Sequence, residues 1–167
     1  MKINAKARTL LWKEVEGITD EILNKKTTTD KWSIKQILEH LYLCETAFTR
    51  MIEKQLAGGE IVHAKDQPVE RTVDRSYKVQ SPEIMVPGDT YKTLVELREL
   101  LNSSHEKMIK IAKNADPEEL EGKGIPHPAF GYLNLRQTIA FVGYHEMRHI
   151  EQIKEAKEGL GLLKSNY

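Results

Sequence analysis

Apolar residues recur at three- and four-residue intervals in four stretches of this chain, with charged residues between them, as in helices that bury one face. The first stretch covers residues 5–25, where Ala7, Leu10, Leu11, Val15, Ile18, Ile22 and Leu23 alternate with Lys13, Glu14, Glu16 and Asp20. Thr27, Thr28, Thr29 and Asp30 break the pattern. Trp32 and Ser33 then open a second helix. Ser33 can cap the Gln36 amide while the Gln36 side chain reaches back, and Trp32 can staple onto Ile37. This helix is predicted to run to about Leu56, ahead of Gly58 and Gly59, with Ile37, Leu41, Cys44, Phe48, Met51 and Ile52 on its apolar line.

Residues 58–88 lose the helical period and contain Pro68, Pro82 and Pro87. So long a connection between helices points to a crossover or a functional lid. The spacing predicts a third helix over Thr90–Asn114, capped by Asp89 or Thr90, with Leu94, Leu97, Leu101, Met108 and Ile111 on one side. The segment Asp116–Asn134 carries Pro117, Gly122, Gly124, Pro126, Pro128 and Gly131, so it is predicted to be loop or turn. Asn134, with Gln137 three positions on, starts a fourth helix that should end near Lys157. Its inward line is Thr138, Val142, His145, His149, Gln152 and Ile153. No alternating run is long enough to argue for a sheet. The expected fold is an all-α four-helix bundle with a long crossover between helices 2 and 3, one domain spanning residues 1–167.

At 167 residues such a chain can bury a core without a disulfide or a structural metal, so a bound metal would serve function. Lys and Arg number 25, as do Asp and Glu, for a formal net charge of zero. With no block of like charge, neither nucleic acid nor an anionic membrane is an expected partner. The single cysteine, Cys44, suits a reducing compartment, and a cytoplasmic location is expected. The N-terminal residues lack the apolar core of a signal peptide, and no run approaches the roughly 20 apolar residues of a membrane span.

The candidate chemistry lies in Tyr144-His145-Glu146-Met147-Arg148-His149-Ile150. Two histidines one helical turn apart can reach one ion. On a buried face each would otherwise need its own polar partner, so a shared divalent metal is the economical reading. His40, at the edge of the second helix's apolar line, is the candidate third ligand. His63 and His105 read as ordinary surface or core residues. His127, held between Pro126 and Pro128, reads as part of a rigid turn or as a group that orients a ligand or meets substrate. Cys44 reads as a small buried hydrophobe, with thiolate ligation the alternative.

His145-Glu146-Met147-Arg148-His149 also matches H-E-x-x-H, where the glutamate is the general base of a zinc peptidase. That makes Glu146 a candidate catalytic residue. Against it, only 18 residues follow His149, and no strand is evident to bind a peptide. The plainer reading makes Glu146 and Arg148 solvated or ion-paired.

Two blocks resemble the DinB-like superfamily, bacterial four-helix bundles that include metal-dependent hydrolases and thiol-dependent S-transferases. Lys31 to Leu41 is similar to the family's W-[ST]-x-x-[QE]-x-x-x-H-[LV] helix start. His127-Pro128 through Gly131, with His145 to Ile153, is similar to its HP-x-x-G turn and H-x-x-x-H-x-x-Q-I helix. The resemblance implies a divalent metal, zinc or nickel, on His40, His145 and His149. It also implies a small-molecule substrate, a low-molecular-weight thiol as cosubstrate if the enzyme is a transferase, and a homodimer.

Three neutral imidazoles around an ion would leave a position open to water or thiol, the arrangement of catalytic rather than structural zinc. Gln152, Glu45, Glu146 and His127 are candidates to hold the imidazoles from behind. The expected function is a metal-dependent S-transferase or hydrolase. The rivals are a non-catalytic bundle that binds a metal or small ligand and, less well supported, the peptidase.

Overall fold

The computed structural model describes residues 1–76 and 80–162; residues 77–79 of the predicted crossover and the last five residues lie outside the described ones. Four long helices make the bundle: α1 (Lys2–Glu14), α3 (Ile34–Gly58), α4 (Leu94–Asn114) and α6 (Leu135–Gly159). A short α2 (Asp20–Asn24) follows α1, and α5 (Pro117–Gly122) with strands β1 (Gly124–His127) and β2 (Gly131–Asn134) precedes α6. Helix α1 lies along α6, and α3 packs against both α4 and α6. The connection from α3 to α4 is the long one, as the sequence predicts.

The predicted first helix is two helices. Gly17 adopts φ 73°, a left-handed conformation that stops α1 and that glycine takes at no steric cost. Thr19 then starts α2 by accepting the Ile22 amide at 3.4 Å. Helix α3 begins as predicted, with both halves of the Ser33/Gln36 capping box formed. Its Met51, expected on the apolar line, is exposed.

Helix α4 starts later than predicted. Thr93 is its cap, in a second capping box with Glu96. Asp89 instead faces Lys26 at 3.0 Å and Gln36 at 3.1 Å, tying the end of the crossover to α3 and to the start of the chain. Asn134 caps α6 through the Gln137 amide at 2.7 Å. The Gln137 side chain does not return to it; its Nε2 donates to the Gln67 carbonyl at 3.1 Å and so holds the crossover.

The segment read as loop is ordered into α5 and an antiparallel hairpin with Gly124 opposite Asn134 and His127 opposite Gly131. Pro126 is tolerated because both strands of a two-stranded sheet are edges and it faces outward.

Two apolar clusters fill the bundle. One gathers Leu11, Ile37, Leu41, Leu97, Leu101, Ile150 and Ile153, the other Cys44, Phe48, Met108, Val142 and Phe141. Between the two, each long helix turns polar on its buried face: Arg8 on α1, His40 and Glu45 on α3, Ser104 on α4, Glu146 and His149 on α6. Helices α1 and α6 can approach this closely because residue 143 is glycine. A Cβ there would lie 2.9 Å from the Asn4 amide nitrogen. The Asn4 side chain also donates to the Ile139 carbonyl at 2.7 Å.

A candidate three-histidine metal centre

The polar layer divides into two halves with different chemistry. One half is a clasp of charged groups. Arg8 donates Nε to Glu146 Oε1 at 3.0 Å and Nη2 to Glu146 Oε2 and Glu45 Oε2, each at 3.1 Å, with Nη1 on the Leu101 carbonyl. Ser104 donates to Glu45 Oε2, and His105 Nδ1 meets Glu45 Oε1 at 3.1 Å. Burial pushes Glu45 upward, but the hydrogen bond from His105 and the Arg8 charge bring it below the ordinary carboxylate range. Burial also raises Glu146, and there Arg8 offsets only part of the rise.

This clasp corrects several expectations. Glu146 takes the ion-paired alternative and is buried rather than solvated, with both its oxygens bound to Arg8. It is therefore not placed as the base of an H-E-x-x-H peptidase. Glu45 and Glu146 hold Arg8 rather than one of the three candidate ligand imidazoles, and His105 is a hydrogen-bond partner of Glu45 rather than a bystander.

The other half holds His40, His145 and His149, whose candidate ligand nitrogens all lie within 4.8 Å of one another. His40 and His149 are buried and His145 is half-buried. The His145 and His149 rings are 4.5 Å apart, and that of His40 lies 5.2 Å and 4.7 Å from them. His40 Nδ1 donates to the Met85 carbonyl at 2.7 Å, leaving Nε2 with its lone pair. His149 Nδ1 lies 2.7 Å from Gln152 Oε1, which fixes the same tautomer.

The Nε2 atoms of His145 and His149 face each other at 3.1 Å. Without a shared proton or an ion, two lone pairs would oppose each other there. Nitrogens bound tetrahedrally to zinc at ~2.0–2.1 Å are themselves ~3.3 Å apart. The donor set and spacing fit a divalent ion. Burial lowers all three pKa values: His149 falls to about 3, with the His40 charge adding to the effect, and His40 and His145 fall below the ordinary value. The shifts favour the neutral imidazoles that metal ligation requires.

Trp32 covers His40 at 4.9 Å between rings, and Phe141 stacks on His145 at 5.6 Å. Cys44 Sγ is 3.5 Å from His40 Nε2, yet burial pushes its thiol up to about 12 and it does not join the three-atom cluster. His127 is also outside. Its Nδ1 accepts the Ala129 amide at 3.1 Å, and its ring packs on Phe48, Phe130 and Phe141, which makes it the core of the hairpin turn. His63 is exposed in the crossover. Of the expected supports, only Gln152 contacts a ligand ring. The Met85 carbonyl has no side-chain signature by which a sequence could reveal it.

The fold is an α-helical bundle whose facing helices bring together three imidazoles that could hold one metal ion. The chain belongs to the DinB superfamily, whose family model matches residues 4–153. It is 32% identical over 158 residues to the protein YuaE of Bacillus subtilis (strain 168), covering 95% of this chain and 97% of that one. Two solved structures share the fold. TT2238, a four-helix bundle protein, has a TM-score of 0.62 at 19% identity, with 92% of this chain and 94% of that one covered. YfiT from Bacillus subtilis, described as a probable metal-dependent hydrolase with an unusual four-helix bundle topology, has a TM-score of 0.63 at 16% identity, with 97% and 86% covered. No helix among the described residues is long and apolar enough to cross a membrane.

Proposed function

We propose that this chain is a metal-dependent enzyme, a thiol-dependent S-transferase or a hydrolase acting on a small molecule, with His40, His145 and His149 as ligands of one zinc or nickel ion. The observation that carries the reading is the convergence of three neutral imidazoles, of which His145 alone is partly open to solvent. Three imidazoles suit either metal. A bound ion would supply Lewis acidity at its remaining position, which serves both activation of water and retention of a thiol in its reactive form. The chain's own part is positional. The Met85 carbonyl and Gln152 hold two rings by their Nδ1 protons, and Trp32 and Phe141 limit water around them.

The description of YfiT supports the hydrolase, and membership of the superfamily supports both activities. The rival reading, a non-catalytic metal-binding bundle, draws on the burial of His40 and His149, whereas the part-open His145 favours an accessible centre. A single domain, a homodimer, a cytoplasmic location and the absence of a nucleic-acid partner belong to the same proposal. The balanced charge and lone cysteine support the last two. The exposed Ile84, Val86, Tyr91 and Val95 are apolar surface available to a second copy.

The test is turnover by zinc- and nickel-loaded protein of an activated ester and of 1-chloro-2,4-dinitrobenzene with cysteine or coenzyme A. Metal-dependent consumption of thiol assigns the transferase, and metal-dependent ester cleavage without thiol assigns the hydrolase. No turnover in either, with metal bound, favours the non-catalytic bundle.

A further inference from the structure

Arg75 lies where the crossover passes over α6, and it is only half satisfied. Its Nη2 donates to Glu155 Oε2 at 2.9 Å. Its Nη1 is buried, with no hydrogen-bond partner among the described residues. A buried donor in this state is costly until an acceptor reaches it.

The surroundings say what kind of acceptor suits it. Arg148, the residue before His149, donates to the carbonyls of Thr72 and Asp74, so a second guanidinium is held against the same segment. The acids brought to this pair are Glu155, with a side chain 63% exposed, and Asp74, whose Oδ1 accepts the Ser76 amide at 2.9 Å. Both acids stand in solvent while both guanidiniums are partly covered.

The pair meets the helix that carries His145 and His149. Arg148, Gln152 and Glu155 share one stripe of α6 by their spacing, and Gln152 is the residue that touches His149 Nδ1. Arg75 crosses that stripe.

We infer that Arg75 anchors a carboxylate or phosphate group of the small molecule that binds beside the three histidines, its buried Nη1 taking the anion. Calling that molecule the substrate rests on the reading of the metal centre. The anion site rests on Arg75 itself. The Arg75–Glu155 pair has its carboxylate side exposed and is of small net worth, so an incoming anion can displace Glu155.

The experiment is calorimetric titration of inorganic phosphate and of succinate, at low ionic strength, into chelator-treated and zinc-loaded full-length protein. Saturable binding of at least one anion to both forms is expected. Arg75→Gln should weaken it about tenfold or more, with Arg75→Lys between the two, because a charge-assisted donor is lost. Glu155→Gln should tighten it about threefold by removing the competing carboxylate. A preference for phosphate or for succinate identifies the anion class. Absence of saturable binding to wild type, or equal binding by a folded Arg75→Gln protein, overturns the inference. Failure of zinc to load would count against the metal centre, and the chelator-treated arm still reads the anion site.

Discussion

Arg8 and Glu146, from opposite ends of the chain, form a two-pronged ion pair in the middle of the bundle, with Nε to Oε1 at 3.0 Å and Nη2 to Oε2 at 3.1 Å. The pair joins α1 to α6 and, through Glu45, to α3. Glu146 stands between two histidines in sequence, but its carboxylate is committed to Arg8. Removing the cation would leave two buried carboxylates without their partner. Arg8→Met is therefore expected to cost roughly 3–5 kcal/mol in urea unfolding. A loss below about 1 kcal/mol would mean that the clasp is not a desolvated ion pair.

Gln152 is expected to act on metal affinity more than on folding. Its amide oxygen holds His149 by Nδ1 at 2.7 Å. Groups in that position typically contribute about 10–100-fold to metal affinity. A chelator-competition titration of Gln152→Ala should show zinc affinity reduced within that range, with the melting temperature of the metal-free protein little changed. Unaltered affinity would show that His149 is oriented by something else.

Acid should weaken the fold partly through His127. Burial lowers this imidazole to about 4, and its Nδ1 is occupied as an acceptor of the Ala129 amide. An unfolded chain takes up a proton here near pH ~6.5, while the folded chain does so only near its lowered value. Its contribution is thus fully present above the unfolded value and is lost as the pH falls from about 6.5 towards 4. Urea unfolding of metal-free protein at pH 7.5 and 5 should show a smaller loss for His127→Gln than for wild type. An identical loss in the two would remove His127 from the account.

Cys44 should be chemically silent in the native protein. It is 3% exposed, and burial pushes its thiol up to about 12. Thiol reagents at pH 7.5 should label it only after denaturant is added, and Cys44→Ala should retain the metal. Rapid labelling of the folded chain would contradict this burial, and loss of metal in Cys44→Ala would instead make it a fourth ligand.

Much of this architecture was legible in the order of residues because the relevant signals are local. The Ser33/Gln36 capping box, the apolar lines of the long helices and the turn-spaced His145 and His149 each lie within one element. His40 could be read from its place beside the line of α3. The hairpin could not, since Pro126 and Pro128 look like breakers until pairing makes both strands edges. The Arg8 clasp left a fainter sign. Arg8, Glu45 and Glu146 each occupy a helical position in register with core residues, such as Leu11 and Val15, Leu41 and Phe48, or Val142 and Ile153. Charges at such positions imply partners across the bundle, but only the packing shows that the three are partners of one another. The Met85 carbonyl and the half-satisfied Arg75 belong to the crossover, whose course no periodicity dictates.

The most direct test of the central claim is metal content per chain. It would be measured by elemental analysis of untagged protein after incubation with zinc or nickel, for wild type and for His40→Ala, His145→Ala, His149→Ala and His105→Ala. The account predicts about one ion per chain in wild type and in His105→Ala, and its loss in each of the other three. No bound metal in wild type, or one retained by all three variants, would contradict it.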